Sequence, residues 1–319
     1  MAGPKSDPTP ARASDPSITI RRGTSDDTRE AFDVSMAAVE DLFTRQGVAW
    51  TLDPDAFYTG LEPLLTHFGT RAAEWWVAED RTDGSLVGYA RSIERGGLLE
   101  LSEFFVRPDR QSAGLGRQLI ERAFPPGRGE VRAIIALTDV RALAHYYKAG
   151  TVARFPIAEL TGRPTRSAAI GAGDAASAGG LEVLSAGLDL VAEFAAIEEE
   201  VVGYPRTDEY SFLFEQRTAL LFRRGGRAVG FAFVGVDGVG PIAALEPDDQ
   251  VLILLEVETW AAAHGLSSLG LELPMVNEVA MRHLLGRGFK IEPPLSIFMS
   301  NKPFGQFDRF ILFSPPFVF

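Results

Sequence analysis

Apolar and polar positions along the chain switch between strand-like and helix-like spacing, and those switches divide it into elements. Ile18–Arg22 reads as a first strand. Through Thr28–Gln46 the apolar positions Phe32, Met36, Val39, Leu42 and Phe43 recur at helical spacing, with Ser25 placed as a cap and Asp26 and Asp27 in the first turn. Asp53-Pro54 opens a second helix over residues 55–68, with proline where its missing N–H costs nothing. Residues 75–79, 86–92 and 98–106 read as three strands, separated by Asp83-Gly84 and Gly96-Gly97, which suit short hairpin turns. The meander runs into a polar turn with Pro108, then Ala113, Gly114 and Gly116, then a helix over residues 117–124. The breaker 125–129, a strand over 131–137, a helix over 140–148, a stop at Gly150 and a strand over 152–160 complete this half.

The same order recurs after a small, polar stretch at 161–180. Val87-Gly88-Tyr89-Ala90 reappears as Val229-Gly230-Phe231-Ala232, Pro108 as Pro247, and Asp139, Ala142 and Gly150 as Asn277, Ala280 and Gly288, at a nearly constant offset. A duplicated domain accounts for that order better than chance. The second copy predicts a helix at 189–201, strands at 218–223, 228–236 and 240–245, a helix from Asp248 or Asp249 to about 263, a strand at 268–273, a helix at 276–285 and a strand at 291–299. The Phe-rich tail 304–319 is expected to pack as a strand and aromatic anchor. The expected organisation is a disordered tail 1–17, a domain at 18–160, a linker at 161–180 and a second domain at 181–319.

Composition narrows the chemistry. The 319 residues include no Cys and only four scattered His, which removes disulfides, thiolate chemistry and a His-rich metal site from consideration. The net charge of -12 lies mostly in the second half, and neither half offers the positive field that nucleic acid requires. A cationic amine suits that balance. The opening 17 residues lack an apolar signal core, and the run 251–255 is too short to span a membrane, so a soluble cytoplasmic protein without nucleic-acid or membrane partners is expected.

The stretch from Val106 to Gly116 carries the candidate chemistry. A strand, a glycine-bearing turn and a helix present free backbone N–H groups where phosphate can be held, although an ordinary strand-to-helix turn has the same outline. The run Gln111-Ser112-Ala113-Gly114-Leu115-Gly116, behind Val106 and Pro108, resembles the acyl-CoA pyrophosphate loop of the GNAT superfamily of N-acyltransferases: Arg or Gln, two variable residues, Gly, one variable residue, then Gly or Ala. The preceding meander and the later Asp139, Ala142, Tyr146, Lys148 and Gly150 are similar to that family's order.

The resemblance implies two tandem α/β GNAT folds, each a mixed, mostly antiparallel sheet flanked by helices. It implies acetyl-CoA as co-substrate, no metal, and transfer of an acetyl group to a primary amine of a small molecule or peptide by direct attack in a ternary complex. The backbone of Gln111, Ser112, Ala113, Gly114, Leu115, Gly116 and Arg117 would receive the pyrophosphate. Phe105 and Val106 would pair with the pantetheine arm, and Asp139 would belong to the cofactor site. Tyr146 is the candidate general acid and Glu103 the candidate base, with Glu100 weaker. Alternation puts Glu103 and Phe105 on one sheet face and Phe104 and Val106 on the other, but a bulge that the resemblance implies near this point leaves the face assignment open. His145, about 100° around the helix from Tyr146, is expected to be structural, and Tyr147 to pack on the sheet. The second copy reads Glu246-Pro247-Asp248-Asp249-Gln250 at the loop and Leu284 at the tyrosine position, so it is expected to have lost catalysis and to buttress the first or wall its substrate site. Residues 49–57 and Gly96-Gly97 are expected to shape the acceptor pocket. The alternatives are a non-catalytic acyl-CoA binding or sensing protein and a structural protein without a cofactor; both monomer and homodimer suit the tandem plan.

Overall fold

The computed structural model describes residues 16–49, 51–111, 114–166, 180–236 and 238–313. Strands β1 (Ile18–Arg22), β2 (Glu74–Asp80), β3 (Leu86–Arg95) and β4 (Leu98–Val106) form an antiparallel meander, and β5 (Val131–Leu137) runs parallel to β4. Between β1 and β2 lie α1 (Thr28–Gln46) and α2 (Pro54–Arg71). Asp53 caps α2 as its position predicts, accepting from the N–H groups of Asp55 and Ala56. The turn into α1 differs: Thr24, not Ser25, begins it, and Asp27 accepts from the Thr24 N–H at 2.8 Å while also pairing with Arg21. A carboxylate reaching back over three residues satisfies the donor that a serine cap would leave free.

After α3 (Leu115–Ala123), β5 and α4 (Val140–Lys148), the chain makes β6 (Val152–Gly162). The second half adds β7 (Glu182–Ala186), α5 (Val191–Val201), α6 (Tyr210–Gln216), β8 (Thr218–Arg224), β9 (Arg227–Val234) and β10 (Val239–Ala244). It ends with α7 (Asp249–Ala263), β11 (Leu269–Pro274), α8 (Glu278–Gly286), β12 (Lys290–Ser300) and the short β13 (Phe310–Ile311). The predicted tail strand is thus only two residues long; residues 314–319, like residues 1–15 of the predicted tail 1–17, lie outside the described residues.

The strands form two mostly antiparallel sheets flanked by helices, a tandem α/β GNAT-like architecture. One has eight strands in the order β1-β2-β3-β4-β5-β12-β6-β11, and the other has five in the order β13-β10-β9-β8-β7. The halves exchange strands: β12 lies between β5 and β6, and β6 lies between β12 and β11. One apolar core runs across the junction, joining Phe32, Phe68 and Ile93 to Phe194, Tyr210 and Phe298. Apolar area of this kind stabilises by about 25 cal/mol per Å² removed from water, so the two halves are held mainly by shared burial.

The internal repeat has a physical basis at several of the matched residues. Asp139 caps α4 and Asn277 caps α8 through side-chain bonds to backbone N–H groups. Gly150 and Gly288 both take positive φ, 88° and 89°, after those helices. The Arg107 N–H donates to Val87 O in the first half, and the Leu245 N–H donates to Val229 O in the second. A Cβ on Gly88 would lie 3.3 Å from Leu119 of α3, and one on Gly230 would lie 2.6 Å from Ile253 of α7. Both glycines therefore let a helix close on the sheet.

Candidate active site

Strand β4 pairs with β5 only over Leu98–Leu101 and then leaves it. The cause lies in β4, where the register on β3 jumps from Ser92↔Leu101 to Arg91↔Glu103 and leaves Ser102 as an extra residue. A bulge of this kind bends the strand and increases its twist. A cavity of about 490 Å³ opens at the divergence and has walls on both sides of the sheet. Toward α3 and α4 it is lined by Phe104, Val106, Gly116, Ala142, His145 and Tyr146; toward α1 by Ala38, Val39, Leu42, Glu103 and Phe105.

Of the sequence-predicted residues, Glu103, Phe105, Val106, Gln111, Gly116, Asp139 and Tyr146 come together in this wall. Ser112 and Ala113 lie outside the described residues. Gly114, at φ 78°, is the residue before α3 and occupies the left-handed conformation that favours glycine. Leu115 faces inward and is buried with Leu119 and Ile120, so only its backbone is available to a ligand. Arg117 is exposed, 3.9 Å from Glu121 on its own helix, and its side chain is not part of the cavity lining. Gln111 closes the turn by donating from Nε2 to Val106 O at 3.0 Å.

Tyr146 is the buried tyrosine of α4, edge-on to Phe104 at 6.0 Å between ring centroids. Burial, reinforced by the Asp139 charge, pushes its hydroxyl well above the ordinary tyrosine range, so it is protonated at neutral pH. Tyr147, expected on the sheet, is instead 52% exposed: adjacent helical positions point about 100° apart, and only one of the pair can face the core. His145 also lines the cavity, edge-on to Phe104, and burial followed by repulsion from Lys148 lowers its pKa.

Glu103 shares the α1 face with Phe105: the bulge falls at Ser102, before both, so alternation holds from Glu103 onward. Its Oε1 accepts from the Tyr89 hydroxyl at 2.8 Å, and Arg91 Nε lies 3.2 Å from Oε2. That ion pair lacks hydrogen-bond geometry, and Oε2 takes no hydrogen bond among the described residues. Arg91 is itself buried, stacked 4.0 Å over Trp75. Glu100 is buried near the start of β4 and is not part of the cavity wall.

Asp139 caps α4 and bonds to Arg141 and Arg45. Burial pushes its pKa up, but those two guanidinium groups and the Arg141 N–H outweigh burial and hold it at about 2. Arg45 and Arg141 also reach Asp41, so a four-membered ionic ring ties the C-terminal end of α1 to the start of α4 at the cavity rim. Sequence reasoning missed this ring and the α1 wall, because Val39 and Leu42 carry the same signal as any core-facing helical position.

Two groups of residues expected to shape an acceptor pocket lie outside this cavity. Gly96 and Gly97 lie at the far end of β4, where Gly97 O accepts from Glu130 and Val131, and residues 49 and 51–57 are not in the cavity wall. Among the described residues that wall comes entirely from the first half, so the second half supplies none of it.

In the second half the equivalent gap, between β10 and β11, is filled by the chain itself. Phe310 and Ile311 pair with Ala243 and Ile242 of β10, and the Leu312 N–H donates to Glu272 O of β11 at 3.0 Å. Gln250 donates to Asp308 O and Asn277 to Phe310 O. A Cβ on Gly240 would fall 2.0 Å from Leu312 O, so glycine is required at this approach. Asp249 is buried against Arg224 at 2.6 Å, and Leu284 is fully buried at the Tyr146 position.

A family model described as an acetyltransferase (GNAT) domain matches residues 71–150, which span β2 to β5, the glycine turn and α4. A putative acetyltransferase from Pyrococcus horikoshii superposes with a TM-score of 0.67 at 16% identity, covering 93% of this chain and 94% of that one. A GCN5-related N-acetyltransferase from Sphaerobacter thermophilus gives 0.60 at 14%, covering 91% and 98%. A tandem GNAT protein from the clavulanic acid biosynthesis pathway gives 0.56 at 14%, covering 90% and 99%. No curated protein sequence matches the chain. At these identities the likeness establishes the fold: the chain has the GNAT acetyltransferase fold. No helix among the described residues is long and apolar enough to cross a membrane, and no group of three His, Asp or Glu among them is placed to hold a metal.

Proposed function

We propose that the chain is an N-acetyltransferase with a single acetyl-CoA site, in its first half, acting on a primary amine in a ternary complex. The observation that carries this reading is the cavity at the β4/β5 divergence, with the glycine turn at one end and Tyr146 in its wall. The residue positions support the following roles. The backbone from Gln111 to Arg117 receives the pyrophosphate at the start of α3. Unpaired backbone of β4 beyond Leu101 meets the pantetheine arm and, near Phe105 and Val106, the thioester carbonyl, where an N–H stabilises the oxyanion. The amine nitrogen bonds to the carbonyl carbon as the C–S bond breaks. Tyr146 gives its proton to the leaving sulfur, and the proton lost by nitrogen passes to Glu103 Oε2. Asp139 acts indirectly, by capping α4 and so holding Tyr146.

A second reading, acyl-CoA binding without transfer, is favoured by one feature: Glu103 already has Tyr89 and Arg91 as neighbours. Calorimetry and thiol release separate the two. Acetyl-CoA should bind one per chain, and Gly114→Glu, which adds strain at positive φ and a negative charge at the helix N-terminus, should weaken binding at least about 100-fold. Binding without thiol release across a broad amine panel would establish the second reading; no binding would defeat both.

A further inference from the structure

The two sides of the cavity differ in chemistry. On the α1 side, where an acceptor would approach Glu103, the wall is Ala38, Val39, Leu42, Phe105, Ile135 and Leu137. The charges at the rim are consumed by one another, Asp41 and Asp139 by Arg45 and Arg141. Gln111 Oε1, at the glycine turn, lacks a hydrogen-bond partner among the described residues, and within this apolar wall two further buried polar atoms lack one: Ser102 Oγ and Glu103 Oε2, the latter 3.2 Å from Arg91 Nε. They are neighbours at the β4 bulge, and both residues line the cavity. A buried acceptor without a donor is costly, and a ligand N–H group can relieve it.

We infer that the acceptor is a monoamine with an apolar body, its nitrogen held by Ser102 Oγ and Glu103 Oε2 and its hydrocarbon part against Val39, Leu42 and Leu137. The inference rests on the acetyl-CoA reading above. A primary amine has donors for both acceptors, and its single positive charge shares the Glu103 carboxylate with Arg91, whose Nε lies 3.2 Å from Oε2 without hydrogen-bond geometry. A polyamine or an aminoglycoside brings further ammonium groups, which would have to enter the Val39 and Leu42 wall without a counter-charge; that is far less favourable than burying methylene groups there. A peptide amine brings backbone N–H and C=O groups that this wall leaves unsatisfied. Selectivity by an apolar surface is strongest against charge, so the discrimination should be large for diamines and small between apolar amines of similar volume.

The test uses the full chain, with calorimetry for acetyl-CoA and thiol release for turnover of 2-phenylethylamine, isoamylamine, putrescine, spermidine, kanamycin and an alanyl tripeptide. The expected result is acetyl-CoA binding together with kcat/KM for the two apolar monoamines at least about 30-fold above every other amine. Val39→Asp should narrow that ratio between 2-phenylethylamine and putrescine at least tenfold while acetyl-CoA still binds. Ser102→Ala should raise KM for 2-phenylethylamine roughly tenfold, in keeping with loss of one buried hydrogen bond. Acetyl-CoA binding with equal or better use of putrescine, spermidine, kanamycin or the peptide would overturn the substrate class and leave the acetyltransferase reading intact. Binding with no turnover of any of the six would also overturn it. Absence of acetyl-CoA binding would overturn the acetyltransferase reading and this inference with it.

Discussion

The gap between β4 and β5 and the gap between β10 and β11 are equivalent places in a duplicated architecture, with opposite contents. In the first half the strands part at the Ser102 bulge and leave a cavity of about 490 Å³. In the second half Phe310–Ile311 continues the sheet beside β10, and Leu312 bonds across to β11. Open backbone at a divergence is a binding edge, and the second half satisfies its edge from within. The Asp-rich turn at Glu246 to Gln250 reads as a site spoiled by charge, but the structure gives those residues structural work: Asp249 pairs with Arg224, and Gln250 holds the Asp308 carbonyl. Closure by a strand is the larger difference, because it removes the space as well as the chemistry.

The largest expected effect tests the open side of that contrast. Tyr146→Phe keeps the ring against Phe104 and removes only the hydroxyl, bringing the first half chemically toward Leu284. If Tyr146 is the general acid, kcat should fall about 100- to 10,000-fold with acetyl-CoA affinity nearly unchanged. A fall of less than about threefold would leave Tyr146 as a packing residue. The raised pKa of the buried hydroxyl adds a second readout: below about pH 10, the ordinary tyrosine value, the rate should show no alkaline limb from this group.

The next effect tests the filled side. Phe310 is fully buried, and its carbonyl is held by Asn277. Phe310→Ala should cost about 3–5 kcal/mol in chemical denaturation, while acetyl-CoA stoichiometry stays at one per chain. A variant that instead bound two would show that the segment masks a second site rather than replacing it.

These contrasts were unevenly legible in the sequence. Periodicity located α1, β4, β5, α4 and α7 to within a residue or so, because each presents a regular apolar face. It missed β7, a short edge strand with no fully buried residue, and α6, whose caps are weak and whose Phe212 is held by stacking on His67 of α2. Residues pattern locally but pair globally, so nothing in 290–300 announces that β12 inserts between β5 and β6. The site shows the same division. Gly114 and Tyr146 carry motif spacing, whereas the role of Ser102 depends on a register jump, and that of Leu42 on which side of a parted sheet its helix covers.

The smallest expected effect lies where the strand exchange meets the filled gap. Counting back equally from the caps Asp139 and Asn277, Glu272 of β11 matches Ile134 of β5, which lines the open cavity. Glu272 pairs in register with Glu159, and Glu159 with Glu292, so three carboxylates stand in a row across β11, β6 and β12. Burial, followed by the Glu159 charge, raises the Glu272 pKa to about 8. A carboxyl group that holds its proton more tightly folded than unfolded contributes stability that is complete below its unfolded pKa, near 4.3, and is lost as pH rises through the folded value. The chain should therefore lose stability between pH 5 and 8, with a ceiling of about 1.4 kcal/mol per pH unit from one group. Glu272→Gln keeps the shape, removes the ionisation and should flatten that slope in urea titrations at pH 5.5 and 8. An unchanged slope would assign the pH dependence to other groups and leave Glu272 as a carboxylate already accommodated where the two halves join.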